Sequence, residues 1–471
     1  MKRREFIAGF GGTAALPLPA IGSTPAQAIS QSATNVIFLM TDQQRWDALG
    51  RVNPIVNTPN LDRLAKSGVL FRSATCQSPI CTPSRNSMMF GLYPSQLGVR
   101  SNFTRSIGDQ YLPFEPLPSQ LRNAGYQTAG FGKTHWGPMK EVPSTRGFEV
   151  RVVGAKEVGL EQGARYQEDS DPEGLARYRS ETADYGAGEE EVAGYIGCTS
   201  KVAERDHRDG WVAEQCLKFL NDGVDPKRPL FLYLSFLKPH AGLNVPKRFE
   251  DLYRIEDIPD TVQPPWANEH ATHLAFADRK DSGPLKGRYA RWRQAWSKMS
   301  LLERRRTTLH YYANCSWLDS YFGQVIEKLE KLGRLQNALI VCVSDHGEML
   351  GERNFRFSKY CLYDSSVRVP MILSGSAVPT SLRGKIDDCS AELVDLFPTI
   401  AHVARFQAPA GLPGSDLLSA PVKVRAFSEF HDGGAPAYMW RKTDWKLIMF
   451  LNAPFHKILV DSMKSAANSM I

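Results

Sequence analysis

The chain has 471 residues, of which 42% are hydrophobic and 23% charged, a composition typical of a globular protein with one large domain and a smaller one. Its formal net charge is +7, and three of the basic residues lie within the first four positions. The rest of the chain carries too little excess charge, and no basic motif, for nucleic-acid binding, so we expect no nucleic-acid partner.

The first 28 residues predict an export signal. Arg3 and Arg4 precede a short apolar stretch that glycine and proline interrupt, and an A-x-A cleavage pattern follows at 26–28. The paired arginines resemble the twin-arginine type, so we expect the twin-arginine machinery to carry the protein to the periplasm or the exterior. A cytosolic terminus or a membrane anchor is the alternative, although the apolar run is too short and too broken to span a bilayer well.

Four apolar runs without strict alternation predict strands buried on both faces of a parallel sheet. These runs are residues 35–42, 126–133, 229–240 and 338–348. Helical spacing of apolar residues predicts helices between them, starting at Thr58, at Leu117 and near Thr307. Strand and helix in alternation predict an α/β fold with a doubly wound sheet.

Polar groups that bind metals or anions follow each of these strands. They are, in chain order, Asp42 with Gln43, Lys133 with His135, His240, and Asp345 with His346. Ligands of open α/β sheets bind at the carboxyl ends of the strands, so we expect these side chains to share one edge. A lone Asp after a strand is more often a helix cap and a lone His a core residue, but four coincidences favour a site.

The eight cysteines show no CxxC pair and no repeated metal spacing, so we expect no disulfide scaffold. Cys81 stands apart because it begins the segment Cys-Thr-Pro-Ser-Arg. Pro83 suits the first position of a helix, which would place residue 81 at a helix N-terminus, where an anion is favoured. A buried structural thiol is the alternative interpretation.

Four blocks of the sequence resemble the formylglycine-dependent type I sulfatases of the alkaline phosphatase superfamily. They are CTPSR at 81–85, GKTHWG at 132–137, SDHGEMLGE at 344–352 and SKYCLYDSSVRVPMIL from residue 358. The resemblance implies a large, doubly wound, mixed but mostly parallel sheet with a small C-terminal α+β subdomain. It divides the chain into an export signal (1–28), a catalytic domain (34–405) and a subdomain (406–471) that we expect to be incomplete, because its last residues depart from the family.

In that family a separate maturation system oxidises the motif cysteine, here Cys81, to formylglycine. The aldehyde hydrates to a diol, one hydroxyl attacks sulfur, and the second expels sulfate as the aldehyde reforms. The resemblance assigns one divalent metal ion to Asp42, Gln43, Cys81, Asp345 and His346. Calcium is the expected ion, with Mn²⁺ or Zn²⁺ as alternatives because an imidazole is among the ligands.

The resemblance also assigns the remaining catalytic residues. Arg85 would hold the formylglycine and metal region, and Lys133 with His135 would contact the diol and the sulfate. His240 and Lys359 would stabilise or protonate the leaving oxygen. The alternative for Lys359 is a solvated surface lysine, and the lysine at position 238 is expected to face solvent.

The sequence therefore predicts an exported sulfatase that hydrolyses a sulfate monoester of a small molecule or carbohydrate. A basic and aromatic stretch at 286–306, within an apparent insertion, either lines a cleft for a sulfated sugar or forms a solvated amphipathic helix. Two other functions stay open. One is hydrolysis of phosphonate monoesters or phosphodiesters with the same nucleophile and metal, and the other is non-catalytic binding if Cys81 is not matured.

Overall fold

The computed structural model describes ten stretches of the chain: residues 33–102, 108–136, 142–156, 159–183, 197–264, 294–419, 425–431, 436–442, 445–450 and 458–462. The predicted export signal and the first part of the basic stretch, 286–293, lie outside these residues. Within the described stretches, every helix is too short or too polar to span a bilayer.

Fifteen strands are present in the described residues. In chain order they are β1 (Asn35–Asp42), β2 (Val69–Phe71), β3 (Gln127–Gly132), β4 (Val150–Val153), β5 (Arg165–Tyr166), β6 (Thr199–Ser200), β7 (Leu230–Pro239), β8 (Val245–Pro246), β9 (Ala338–Ser344), β10 (Met371–Ser374), β11 (Lys385–Asp387), β12 (Ala426–Phe430), β13 (Ala437–Arg441), β14 (Trp445–Phe450) and β15 (Ile458–Ser462). Nine of them form the main sheet in the order β11-β2-β10-β9-β1-β7-β3-β4-β5.

The main sheet is mixed and mostly parallel, which confirms the predicted fold class. Only β10 runs antiparallel to its neighbours, β2 and β9, and the other neighbouring strands are parallel. β1 lies in the middle, with Val36 opposite Phe231 of β7 and Leu339 of β9. The four strands predicted from apolar runs are the adjacent strands β9, β1, β7 and β3, so their carboxyl ends lie side by side.

The helices cover both faces of this sheet. In chain order they are α1 (Pro59–Ser67), α2 (Cys81–Phe90), α3 (Pro94–Leu97), α4 (Leu117–Asn123), α5 (Gln167–Ser170), α6 (Pro172–Ala183), α7 (Arg208–Asp222), α8 (Lys247–Glu250), α9 (Leu301–Lys331), α10 (Glu352–Phe355), α11 (Asp364–Val367) and α12 (Leu396–Ala404). Alternate residues of β1 enter opposite cores: Phe38 packs in the core that includes α2, α4 and α12, and Leu39 packs in the core with α1, α7 and α9. Apolar residues on both faces explain why the predicted runs do not alternate.

The long helix α9 begins six residues before the predicted start at Thr307. Ser300 and Glu303 form a capping box, in which the Ser300 hydroxyl accepts from the Glu303 backbone N–H and the Ser300 N–H donates to the Glu303 carboxylate. This pairing satisfies backbone donors that the first helical turn leaves open. The first residues of α9 therefore belong to the basic stretch. Before the helix, Trp296 of the same stretch packs inward against Phe357, with ring centroids 5.0 Å apart.

A second sheet of four antiparallel strands, β12 to β15, forms the small C-terminal unit. It is tied to the main domain by Asp364 of α11, whose carboxylate accepts from Arg441 of β13 and from Lys446 of β14. Asp364 follows Lys359 by five residues. The C-terminal sheet thus buttresses the segment that carries one of the predicted site residues.

Candidate active site

The structure brings the sequence-predicted site residues together at the carboxyl edge of the main sheet. Strands β1, β3, β7 and β9 end there, and each delivers the polar residues that the sequence analysis picked out after it. Helix α2 adds Cys81 and Arg85, and the segment before α11 adds Lys359. Hydrogen bonds and ion pairs join Asp42, Cys81, Arg85, Lys133, Asp345, His346 and Lys359 into one buried network.

Cys81 is the first residue of α2, after Ile80 at the N-cap. The prediction that residue 81 lies at a helix N-terminus is confirmed, but Pro83 is the third helical residue rather than the first. A proline is tolerated there because the first turn of a helix makes no use of those backbone N–H groups. Another backbone N–H of this first turn, that of Thr82, is satisfied by a side chain: it donates to Oδ1 of Asn102 at 2.9 Å.

Cys81 and three buried side chains around it form a cluster able to hold a metal ion. The donor atoms of Asp42, Cys81, Asp345 and His346 all lie within 4.8 Å of one another. Sγ of Cys81 is 3.1 Å from Nε2 of His346 and 3.7 Å from Oδ1 of Asp42. The Nδ1–H of His346 donates to the carbonyl oxygen of Gly347 at 3.0 Å, which leaves Nε2 as the ring atom that faces the cluster. Two carboxylates, an imidazole nitrogen and residue 81 are a ligand set that fits a divalent ion.

Gln43 lies beside this cluster with its amide in a fixed orientation. Its Oε1 accepts from Nζ of Lys359 at 2.7 Å, and its Nε2 donates to the carboxylate of Glu348. The backbone of Gln43 adopts a left-handed conformation, with φ of 69°, and its N–H donates to Oδ1 of Asp345 at 3.0 Å. The amide oxygen therefore faces the same space as Lys359 and Cys81.

Arg85 connects the two carboxylates of the cluster to the strands behind them. Its guanidinium donates to Asp345 at 2.7 Å and to Asp42 at 3.2 Å, and on its other side to the carbonyl oxygen of Lys133 at 2.6 Å and the hydroxyl of Ser235 at 2.9 Å. Burial alone would lower the pKa of Arg85, but Asp345 and the other acids around it raise the pKa instead. Arg85 is thus a permanent cation that orients both carboxylates.

Two lysines add positive charge on the other side of the cluster. Lys133 donates to Oδ2 of Asp42, and Nζ of Lys359 donates to Sγ of Cys81 at 3.0 Å. Lys359 is buried, which excludes the solvated alternative, and although burial lowers its pKa, Cys81 and nearby acids raise the pKa above the ordinary value. Burial and Asp42 would raise the pKa of the Cys81 thiol, but Lys133, Lys359 and His346 bring it well below its usual range.

Two neutral histidines complete the site. His135 lies beside Cys81, and its buried Nδ1 has no hydrogen-bond partner among the described residues. Burial, followed by Lys133, lowers the pKa of His135. Burial, followed by Lys359, lowers the pKa of His240 to about 3. Both rings are therefore uncharged at neutral pH in this cation-rich pocket.

Comparison with known proteins identifies the family to which this arrangement belongs. The family model described as sulfatase matches residues 34–406. An arylsulfatase from Clostridium perfringens (strain 13 / Type A) is 30% identical over 400 residues, which cover 81% of this chain and 77% of that protein. The chain belongs to the sulfatase family. It is a sulfuric ester hydrolase of the alkaline phosphatase superfamily, as the sequence resemblance implied.

Solved structures share the fold of this sulfatase at lower sequence identity. A phosphonate monoester hydrolase of Agrobacterium radiobacter aligns with a TM-score of 0.72 and 21% identity, over 92% of this chain and 90% of that one. A protein solved in complex with its substrate D-glucosamine-2-N,6-O-disulfate aligns with a TM-score of 0.67 and 21% identity, over 93% and 92% of the two chains. These similarities confirm the architecture of the sheet and of the C-terminal unit.

Several residues that shape the site of the sulfatase were not predicted from the sequence. Ser84 donates to the carbonyl oxygen of Asp345 at 2.5 Å, and Tyr233 donates to that of Lys133 at 2.8 Å. Both had a signal: Ser84 belongs to the 81–85 motif, and the hydroxyl of Tyr233 is an unusual polar group in an apolar strand. Glu348 lies in the 344–352 block and binds Gln43.

The expectation for the lysine at position 238 was wrong. Lys238 is buried, and its Nζ donates to Oδ1 of Asn244 at 2.7 Å and to the carbonyl oxygen of Gly242. The turn that follows β7 folds back over the lysine and supplies these acceptors, which a strand-end position alone does not reveal. Burial lowers the pKa of Lys238 to about 8. The hydrogen bonds of its Nζ are thus with this turn, and its backbone N–H donates to Asp209 at 2.8 Å.

Proposed function

We propose that this sulfatase, after export, hydrolyses a sulfate monoester of a carbohydrate with formylglycine made from Cys81 as the nucleophile and one divalent metal ion, calcium in first place, as its cofactor. The observation that carries the proposal is the position of Cys81. Its Sγ lies at a helix N-terminus, 3.0 Å from Lys359 and 3.1 Å from His346, in a cluster of metal-binding groups.

The side chains of the site support a division of roles. When bound, the metal would supply a Lewis acid for a sulfate oxygen, held by Asp42, Gln43, Asp345, His346 and residue 81, and the matured residue 81 would supply the attacking hydroxyl. The guanidinium of Arg85 donates to both Asp42 and Asp345 and so fixes the orientation of the two carboxylates. The unmodified Sγ stands in for the oxygens of the matured residue, which Lys133, Lys359 and His135 then surround.

The leaving oxygen needs a proton or a hydrogen bond, and His240 and Lys359 are the groups assigned to supply it. Lys359 is charged at neutral pH because the anions around it raise its pKa. His240 is neutral in the free site, with a pKa of about 3, and a bound anion would raise that pKa. Both groups therefore hold an N–H that can be donated as negative charge develops.

The charge of the site favours a monoanionic ester over a dianionic one. Arg85 and Lys133 donate to the carboxylates of Asp345 and Asp42, and Lys359 is the lysine that donates to residue 81 itself. A sulfate monoester carries one negative charge and a phosphate monoester up to two. Phosphonate monoesters and phosphodiesters are also monoanions, so charge alone does not separate them from sulfate esters.

A carbohydrate is the favoured substrate class because a protein of the same fold acts on a disulfated glucosamine. The alternative, a phosphonate monoester hydrolase, has similar support from the fold and from the uncharged ligand types at Gln43 and His346. The relative that is 30% identical is an arylsulfatase, which favours sulfate esters. The test is kcat/KM for a sulfated glucosamine and an aryl sulfate against the matching phosphonate monoester, on one metal-loaded preparation. We expect the sulfate esters to be preferred, and a clear preference for the phosphonate would replace the proposal by the alternative.

Export rests on the sequence of the first 28 residues, where Arg3 and Arg4 precede the A-x-A pattern at 26–28. Cell fractionation and N-terminal sequencing of the mature protein test it. We expect a periplasmic or secreted chain that starts after residue 28, and Arg3→Lys with Arg4→Lys should block export. A full-length chain found in the cytosol of the native host would contradict the proposal.

A further inference from the structure

Glu348 is a buried acid to which neither the sequence analysis nor the proposed mechanism gives a role. Its side chain is 1% exposed, at the turn after β9. One carboxylate oxygen accepts from Nε2 of Gln43. The other accepts from the backbone N–H of Leu350 at 3.0 Å and from that of Ser358. Glu348 therefore joins the residue after β1 to the residue before Lys359.

These contacts decide which way the amide of Gln43 points. A primary amide has an oxygen that accepts and a nitrogen that donates, at nearly the same size and shape. With Nε2 held by the Glu348 carboxylate, Oε1 is directed to the opposite side, where it accepts from Lys359 at 2.7 Å. In the reversed orientation, the NH₂ group would face Lys359 and any cation bound beside it.

The backbone of Gln43 is held independently of this amide. Its N–H donates to Asp345 at 3.0 Å, and its carbonyl oxygen accepts from the hydroxyl of Tyr311 at 2.6 Å. The two backbone contacts fix the left-handed residue in place but leave the terminal torsion of its side chain free to rotate. On the side of the amide away from the metal cluster, Glu348 is the partner among the described residues that distinguishes the two orientations.

We propose that Glu348 is a positioning residue, which fixes the amide oxygen of Gln43 toward the divalent ion and ties Lys359 to the same anchor through Ser358. The inference rests on the metal site of the proposed function. It also explains why position 43 carries an amide: a carboxylate there would lie against the Glu348 carboxylate, at a distance where two like charges repel strongly in a buried site. Positions 43 and 348 thus form a hydrogen-bonded unit of one amide and one carboxyl group.

The variant Glu348→Gln tests this unit. A glutamine at position 348 keeps its single acceptor oxygen on the backbone N–H groups of Leu350 and Ser358, which already share one carboxylate oxygen in the wild type. Its NH₂ then faces Gln43, which must reverse its own amide and turn an NH₂ toward the ion. We expect Ca²⁺ affinity, measured by calorimetry on the chelator-treated full chain, to fall about ten- to hundredfold.

The double variant Gln43→Glu with Glu348→Gln separates positioning from a general loss of structure. In it the amide introduced at position 348 donates to one oxygen of the new carboxylate at position 43, and the other oxygen faces the ion. We expect Ca²⁺ affinity to return to the wild-type value or to exceed it. Affinity that stays as low as in E348Q, in a protein that unfolds at the wild-type temperature, would overturn the inference.

Glu352→Gln is the matched control, because Glu352 lies on the same segment but pairs with Arg45 at 2.6 Å and accepts from Ser365. Its Ca²⁺ affinity should stay within about twofold of wild type, and an E348Q variant equally unaffected would refute the role of Glu348. The measured quantity is metal binding. A wild-type protein that binds Ca²⁺ but hydrolyses no sulfate ester would therefore contradict the proposed function and leave this inference standing. A wild-type protein that binds neither Ca²⁺ nor Mn²⁺ would contradict this inference.

Discussion

At residue 81, the surrounding charges fall into two groups. Arg85 and Lys133 pair with the carboxylates of Asp345 and Asp42, whereas Lys359 donates directly to Sγ of Cys81. The helix N-terminus adds a partial positive charge on the same side. An anion on residue 81 is therefore favoured without any change in its neighbours, which is the environment that a nucleophilic oxygen requires.

Cys81→Ala should abolish turnover and leave folding intact. The variant removes the nucleophile, and a lost covalent route costs about a thousandfold or more in rate. Cys76→Ala is the matched control, since Cys76 is equally buried, five residues earlier, and should keep its activity. Steady-state kinetics with circular dichroism tests the pair, and more than a few per cent of wild-type activity in the Cys81 variant would contradict formylglycine chemistry.

Asp345→Asn should lose the metal, whereas Lys133→Ala should keep it. Asp345 offers one of the two carboxylates of the cluster, and an amide is a much weaker ligand for a hard cation. Lys133 donates to Asp42 but is not itself a ligand of the cluster, so its removal leaves the ligands in place and should lower the rate alone. Metal analysis of both purified variants checks this, and a full complement of metal in the Asp345 variant would refute the ligand assignment.

The sequence predicted which side chains the structure brings together at this edge, because each follows an apolar strand or belongs to a motif block. It could not predict the partners that hold them. Arg85 reaches Ser235, 150 residues away, and Glu348 reaches Gln43, 305 residues away. Such contacts depend on which strands are neighbours, and the spacing of residues along the chain does not contain that information.

Among the elements, the segment from Leu350 to Tyr360 differs most from what a sequence can predict. Six of its residues have positive φ without being glycine: Leu350, Arg353, Asn354, Phe355, Ser358 and Tyr360. Residues held in this sparsely populated region need support from their surroundings. Strands such as β1 and β9 were predictable because burial on both faces leaves a plain apolar signature, whereas this segment follows its tertiary contacts.

Part of that support comes from Asp364, which follows the segment and joins it to the C-terminal sheet. Burial alone would raise the pKa of Asp364, but Arg441, Lys446 and Arg368 outweigh burial and hold the pKa well below its usual range. The pKa of Asp364 is therefore lower in the folded state than in the unfolded state, where it is about 4. Its ionised form stabilises the fold fully above about pH 4, and this contribution to the free energy of unfolding is lost as the pH falls.

Asp364→Asn should therefore destabilise the protein at neutral pH and less so in acid. Removing the charge leaves Arg441 and Lys446 buried without their anion, at a cost of about 3 kcal/mol in the free energy of unfolding at pH 7. Urea unfolding at pH 7 and pH 3 measures this, and the difference from wild type should shrink at pH 3. Asp388→Asn, which breaks a surface pair with Arg72, is the control and should change stability little at either pH.

In the whole molecule, the central strands β9 and β1 carry the candidate metal ligands at their ends, and α2 adds Cys81 to the same cluster. A bound divalent ion would thus connect elements that are far apart in sequence. Removing the ion with a chelator should lower the unfolding temperature by several degrees, because a ligand at a hundred times its Kd stabilises the fold by about 2.7 kcal/mol. Differential scanning calorimetry with and without Ca²⁺ tests this, and Asp345→Asn should show no response to Ca²⁺.

The central claim, that residue 81 is converted to formylglycine, is tested most directly by mass spectrometry of one tryptic peptide from protein purified from its native host. Cleavage after Arg72 and Arg85 gives residues 73–85, which contain both Cys76 and Cys81. After treatment with a thiol-alkylating reagent, we predict a peptide with one alkylated cysteine, at position 76, and an aldehyde at position 81. A peptide in which both positions carry the alkyl group would contradict the account.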